Sequence, residues 1–406
     1  MLSANNEITK RNFRYVMIDG AGVSIANAAQ PFLPVLLTRL GATNFQVGLL
    51  TSMPGVTGLV LAILVGRFLQ SRREIVPWYS LARLLVIACY TLTGIVVFTI
   101  SGQYAIAAIL VIWGLATLPQ TGLAVAFSVV MNAVAGPEGR YALLSRRWAV
   151  FGLTGVAVTF LITRVIDLVA FPINYGLMFM GLSLGGLVSF YFSRKIKLAP
   201  QTPPAPVPSS SVLDSARNYF SLILSEPAFR SFAVKKFVYI SAVSLSMPIL
   251  PLFFVREVRA SDSQIGTINM TMTLVMLVGY FLWPLTSRKY GGRFVLLATT
   301  LGMAFYPALT AATPRVELII LYAGIAGLFQ SGLDLVFFDE LMKTVPPEYS
   351  ATFVSFSQSL QYVSAIIAPT VGTWLADIIG LGGALWVSAG LRIFGFLLFL
   401  IPDRRK

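Results

Sequence analysis

Long apolar runs alternate with short polar breaks along almost the whole chain. A helix needs about 20 apolar residues to cross about 30 Å of hydrocarbon. Runs of that order lie near 15–38, 45–66, 76–100, 104–134, 148–170 and 172–193, and again near 237–255, 265–287, 294–313, 317–342, 350–379 and 381–402. None shows the period-two alternation of barrel strands. The pattern predicts an all-α integral membrane protein of twelve transmembrane helices in two six-helix bundles, 1–195 and 231–406. Between them lies "KIKLAPQTPPAPVPSSSVL", whose Pro200, Pro203, Pro204, Pro206 and Pro208 exclude a packed element. The stretch after it, "LDSARNYFSLILSEPAFRSF", has apolar residues at helical spacing. Residues 196–230 are therefore expected to form a cytoplasmic Pro/Ser-rich linker and a helix on the membrane surface.

Composition supports lipid as the solvent. The chain has 406 residues, 56% hydrophobic and 11% charged, against about 25% charged in soluble domains. The net charge of +14 comes from short clusters between apolar runs, not from a basic face on a water-soluble module, so nucleic acid is not an expected partner. There is no histidine, and Cys89 is the only cysteine. An intrachain disulfide, a cysteine-rich metal site and histidine-based catalysis are excluded. No short apolar core with a cleavage site opens the chain, so the first run is expected to serve as an uncleaved signal anchor. Placing the N-terminus in the cytoplasm puts all but six of the 30 Lys and Arg residues in cytoplasmic loops, tails and nearby helix ends. The exceptions are Arg39, Arg164, Arg256, Arg259 and Arg315 outside and Arg392 in mid-span. Both termini are then cytoplasmic, and the basic loops would meet anionic headgroups.

The two halves resemble each other. "LPVLLTRLGATNFQVG" from Leu33 parallels "LPLFFVREVRASDSQIG" from Leu250, matching Pro34 with Pro251, Gln46 with Gln264 and Gly48 with Gly266. "QTGLAVAFSVVMNAVAGPEGRYALLS" parallels "QSGLDLVFFDELMKTVPPEYSATFVS", where Gln120, Gly122, Leu123, Phe127, Pro137, Glu138 and Ser145 meet identical residues. Two similar halves in one orientation are the layout of a rocking transporter.

With Pro31, Pro34, Leu40, Gly41 and Gly48 in "PFLPVLLTRLGATNFQVG", then "EPAFRSFAVKKFVY", then Pro369 and Gly372 in "APTVGTWLADIIG", the chain resembles the twelve-span, drug-exporter-like members of the major facilitator superfamily. The resemblance implies a charged loop of pattern Gly-x-Leu-x-Asp-Arg-x-Gly-Arg after span two. In "GRFLQSRRE" Gly66 and Phe68 fit, but Gln70 replaces the acid, Ser71 the first arginine and Arg73 the glycine. The second copy, "PLTSRKYGGR", has Pro284 and Arg288 at the first glycine and the acid, and retains Lys289, Gly291 and Arg293. An Asp-centred latch is thus absent from both loops, and Gly66, Arg72, Arg73, Lys289, Arg293, Asp339 and Glu340 are the expected cytoplasmic gate. Span five, "FGLTGVAVTFLITRVI", lacks the proline of the exporters' antiport motif.

The resemblance also places spans one, four, seven and ten around a central cavity. Their polar residues Asp19, Asn27, Gln30, Gln120, Asn132, Tyr239, Gln330 and Asp334 are the candidate substrate or proton pathway. Asp334 stands out because its repeat mate is Ala124 and because a carboxylate at the bilayer centre costs about 3 kcal/mol or more unless paired, hydrated or protonated. Asp19 is expected to pair with Arg14, Asp339 and Glu340 with Lys289 or Arg293, and Arg164 with Asp167. Lys235, Lys236 and Arg83 are expected to snorkel to headgroups. No phosphate-binding loop for ATP is present, and no nucleophile–base set suggests an enzyme. The expected function is secondary active transport of a small molecule across the cytoplasmic membrane by alternating access, driven by a proton or substrate gradient, by a monomer without metal or cofactor. The alternative is a non-transporting relative that assembles membrane complexes.

Overall fold

The computed structural model describes residues 2–70, 72–198, 226–344 and 350–401. The Pro-rich linker, residues 199–225, lies outside them, as does most of the expected surface helix. Every regular element among the described residues is helical. They are α1 (Leu2–Asn27), α2 (Phe32–Arg39), α3 (Asn44–Gln70), α4 (Val76–Thr99), α5 (Gly102–Val165), a single 3-10 turn, and α6 (Ile173–Arg194). The second series is α7 (Pro227–Ser246), α8 (Ile249–Arg256), α9 (Asp262–Tyr290), α10 (Gly292–Ala311), α11 (Val316–Lys343) and α12 (Ser350–Leu400). Ten stretches of described chain are long and apolar enough to cross a membrane. One of them, Phe356–Leu400, has 45 residues, about twice the length a crossing needs. It breaks at Gly380, whose φ of 79° favours glycine. Dividing it there and adding the 27-residue α3 gives twelve crossings. Helix α5 carries the fourth and fifth expected spans with its backbone helical throughout, where the sequence suggested a loop.

The repeat is written into the local geometry. Thr43 and Gln46 cap the start of α3 reciprocally, the Thr43 N–H donating to Gln46 Oε1 at 2.8 Å and the Gln46 N–H to Thr43 Oγ1 at 3.2 Å. Ser261 and Gln264 do the same for α9, at 2.8 and 3.2 Å. These are two capping boxes built by repeat mates. The first span of each half is also broken alike. Helix α1 stops at Asn27 and the chain resumes as α2, and α7 stops at Ser246 and resumes as α8, with Pro34 and Pro251 each in the first turn after the break.

The chain divides into two compact units. The first holds residues 1–46, 57–205 and 260–270, the second 47–56, 206–259 and 271–406. In the first unit α1 lies against α6 in backbone contact: a Cβ on Gly22 would sit 2.7 Å from the Gly185 carbonyl oxygen and 2.7 Å from the Ser189 nitrogen. In the second, a Cβ on Gly327 of α11 would meet the Met272 carbonyl oxygen of α9 at 2.1 Å. Outward-facing stripes such as Leu274, Val278, Phe281 and Leu285 on α9 are exposed, as hydrocarbon-facing residues must be.

Candidate functional site

In the second unit, α9 and α11 bring Asp334 together with Tyr280 and Gln330. Tyr280 donates its hydroxyl to Asp334 Oδ2 at 2.9 Å, and Gln330 donates Nε2 to Oδ1 at 2.7 Å. No cation pairs with this carboxylate among the described residues. Asp334 is nonetheless exposed. Exposed apolar residues of α11 include Leu321, Ile325, Leu335 and Phe338; at 3.6 residues per turn Asp334 lies about half a turn from Ile325 and close to the line of Phe338. The carboxylate thus borders accessible space. Two neutral donors and water can keep it there as an anion, able to take a proton or a hydrogen-bond donor.

In the first unit Asp19 has the opposite surroundings. It is 0% exposed. Ser189 donates to its Oδ1 at 2.6 Å and Tyr79 to its Oδ2 at 3.1 Å, while Arg147 reaches Oδ2 at 3.2 Å and Arg83 lies 3.5 Å from Oδ1. Arg83 also donates to the Tyr79 hydroxyl at 2.7 Å. Four helices, α1, α4, α5 and α6, meet at one carboxylate. Two guanidiniums on one carboxylate leave a buried surplus of positive charge. The rings of Tyr79 and Phe127, 5.2 and 4.6 Å from the respective guanidinium carbons, offset part of it. The expected Asp19–Arg14 pair is replaced by this cluster, since Arg14 is on the exposed face of α1. Arg83 does not snorkel; it is 6% exposed and turned inward. Sealed in this way, Asp19 does not border open space.

Other expected site residues divide similarly. Asn27 accepts from the Tyr90 hydroxyl at 3.3 Å and is half-buried. Gln30 is exposed at the break after α1, and Gln120 is half-buried. The side chain of Asn132 lies outside the described residues, as do the surroundings of Gly66. Tyr239 is 0% exposed and donates to the Thr300 carbonyl at 2.7 Å, so it is a packing residue and not a wall of a pathway. Lys235 donates to the Ile401 carbonyl at 2.9 Å, and Lys236, expected at the headgroups, points inward to Ser357.

The expected cytoplasmic gate has no ionic latch among the described residues. Asp339 and Glu340 pair with Lys343 of their own helix, at 2.6 and 3.0 Å, and not with Lys289 or Arg293. Helical spacing makes these local partners nearer than any loop cation. Arg293 donates to the Leu400 carbonyl at 3.1 Å, Lys289 lies 5.1 Å from the Tyr290 ring, and Arg72 lies over the rings of Phe68 and Trp78 at 4.5 and 5.3 Å. Arg73 is exposed.

An ion pair that sequence reasoning missed holds the tip of α9, residues 260–270, inside the first unit. Arg39 Nε donates to Asp262 Oδ1 at 2.6 Å, Tyr175 donates its hydroxyl to the same oxygen at 2.7 Å, and Arg39 Nη2 donates to the Ala260 carbonyl at 2.8 Å. Asp167, expected to pair with Arg164, instead accepts from the Ser263 N–H at 3.4 Å, while Arg164 covers Phe160. The signal was available in the repeat: Asp262 stands where the mate has Asn44, an acid that symmetry does not demand.

Residues 233–406 match the family model described as Major Facilitator Superfamily. Among solved structures, the nucleoside transporter NupG (D323A mutant) superposes with a TM-score of 0.76 at 10% identity, over 97% of this chain and 99% of that one. That superposition shows a shared fold along the whole chain, and the family match itself is confined to residues 233–406. A D-xylose-proton symporter superposes with TM-score 0.69 at 12% identity, over 98% of each chain, and the human organic anion transporter MFSD10 (TETRAN) with 0.65 at 15%, over 96% and 99%. No curated protein matches the sequence. With ten described stretches long and apolar enough to cross a membrane, this chain is a multi-pass membrane protein.

Proposed function

We propose that the protein is a secondary active transporter that moves a small polar molecule across the cytoplasmic membrane by alternating access, with Asp334 as the group that takes up a proton or contacts the cargo. The single observation that carries this reading is an exposed carboxylate within α11 that has no cation beside it among the described residues. Ionisable groups inside a membrane are costly and are seldom idle. The similarity to a nucleoside transporter and to a D-xylose-proton symporter supports transport and is compatible with proton drive. An assembly factor would have no use for an accessible unpaired acid.

In this reading the moving bodies are the two six-span bundles, 1–195 and 231–406, joined by 196–230, with both termini cytoplasmic as the distribution of basic residues favours. The Arg39–Asp262–Tyr175 cluster is the lock on the side away from the termini, and release of the tip 260–270 from the first unit is the opening step. The test is reconstitution in liposomes with an imposed pH gradient and a panel of metabolites and drugs. Gradient-driven movement of a solute by the wild type, lost in Asp334→Asn, supports the proposal. Equal transport by both removes Asp334 from the mechanism.

A further inference from the structure

Helices α10 and α11 leave a groove of about 380 Å³ between them. A dry protein cavity of about 150 Å³ already takes a benzene ring, and ligand pockets run from about 300 to 1,000 Å³. The lining is apolar or aromatic throughout: Tyr306 and Tyr322 bring its only hydroxyls, and no charged side chain takes part. Three lining residues, Phe305, Leu309 and Ile325, are exposed, so the groove opens on apolar surface. Its shape is set by packing. A Cβ on Gly302 would sit 2.5 Å from the Phe329 ring, and that ring also lies 6.1 Å from the Trp283 ring. The aromatic wall is therefore held from behind, and the groove is preformed.

Both helices are long and apolar enough to cross a membrane. The groove begins at Leu309, two residues before the end of α10, and reaches Ala298. At 1.5 Å per residue that is about 16 Å, close to half of the roughly 30 Å of hydrocarbon in a bilayer. It therefore starts beside the turn 312–315 and runs for about the depth of one leaflet. Water does not fill such a space, since it needs two to four polar partners. An unfilled void forfeits dispersion contacts, at a cost that grows with its volume. We propose that the groove between α10 and α11 holds one acyl chain of a membrane phospholipid from the leaflet that borders the turn 312–315. Filling the void is the driving force, because hydrocarbon and an apolar side chain are equally good solvents for the chain. The mouth carries exposed residues of both signs, Arg315 and Glu317, so the fit is to the chain and not to a charged headgroup. This interaction surface requires only that α10 and α11 span a membrane, and it stands whichever solute the protein moves.

The test is native mass spectrometry of the delipidated full chain, released from detergent after titration with dioleoyl phosphatidylcholine. The wild type is expected to retain one phospholipid, saturably, under activation that strips the others. Ala298→Phe places a ring in the groove and should weaken that retention by at least about tenfold, a preference far smaller than the penalty for a void of this size. Where Ala298→Phe does not fold, Leu309→Trp, at the exposed mouth, replaces it. Val278→Phe, on the exposed stripe of α9 and outside the groove, should bind as the wild type does. The proposal is overturned if no phospholipid is retained, if the folded groove variant retains it like the wild type, or if Val278→Phe loses it equally. A dimer mass in place of the lipid adduct would overturn it too, and would make this face an interface between copies of the chain.

Discussion

Asp19 and Asp334 are the same side chain placed inside membrane-crossing helices, and the structure treats them in opposite ways. Asp19 is 0% exposed and meets two arginines, a tyrosine and a serine from three other helices. Asp334 is exposed, has no cation among the described residues, and is steadied by one tyrosine and one glutamine. Both arrangements answer one problem, the cost of a carboxylate away from bulk water, which is about 3 kcal/mol or more at a bilayer centre. The first answers it with fixed counter-charge and so becomes a joint between helices. The second answers it with neutral donors and accessible space and so stays chemically available. Depth in the membrane therefore says less about function than the number and sign of the partners.

The largest expected effect breaks the first arrangement. Asp19→Asn keeps the shape of the side chain but leaves Arg83 and Arg147 buried without a carboxylate. Removing one partner of a buried ion pair typically costs about 3–5 kcal/mol. The variant should unfold at a much lower temperature in detergent or fail to accumulate in the membrane. An unfolding temperature within a degree or two of the wild type would show that the cluster is not a joint. Asp334→Asn is the matched experiment on the other carboxylate. It removes a charge that no cation among the described residues balances, so its stability should stay within about 1 kcal/mol of wild type or rise, while gradient-driven transport is lost. If instead Asp334→Asn is the unstable variant and Asp19→Asn the inactive one, the comparison is inverted and the site belongs in the first unit.

The lock on the α9 tip gives an intermediate effect. Arg39→Ala leaves Asp262 with Tyr175 alone, a loss on the order of 1–3 kcal/mol for a partly buried charged hydrogen bond. In a Cys89→Ala background with a cysteine at Asn27, a membrane-impermeant maleimide added from the side opposite the termini should label the variant about tenfold faster, because every 1.4 kcal/mol shifts a population tenfold. The exchange Arg39→Asp with Asp262→Arg should slow labelling again. Unchanged rates in all three proteins would mean that this ion pair gates nothing.

What the sequence reveals and what it hides follows from the range of the interactions. Spans, the linker and the repeat depend on local pattern, and the paired capping boxes at Gln46 and Gln264 show how far a local match can be trusted. Asp334 was legible because one residue broke the repeat. The partners of Asp19 were not, since Arg83, Arg147 and Ser189 come from distant helices whose facing the pattern does not determine. The cytoplasmic gate was read from a family loop motif, yet its acids are captured by Lys343 a turn away, and the lasting ion pair lies at the tip of α9. Lys235 and Lys236 read identically in sequence, but adjacent residues on a helix point about 100° apart. One reaches a chain-end carbonyl, and the other turns into the protein.

The smallest effect sharpens the account of why Asp334 can remain a carboxylate. Tyr280→Phe deletes one hydroxyl, the 2.9 Å donor to Oδ2, and leaves the ring that fills the space between α9 and α11. A single hydrogen bond to a charged acceptor contributes about 1.5–3 kcal/mol when nothing replaces it, and much less when water can. Asp334 is exposed, so water does replace it, and the fold should hold. What is lost is orientation, since Gln330 alone, from the same helix, cannot fix both oxygens. Transport should fall by about two- to tenfold with the apparent affinity for the cargo changed less than the maximal rate. A drop as complete as that of Asp334→Asn would make the tyrosine part of the chemistry itself. No change would show that Gln330 and water suffice, and that α9 contributes packing and nothing more to the site.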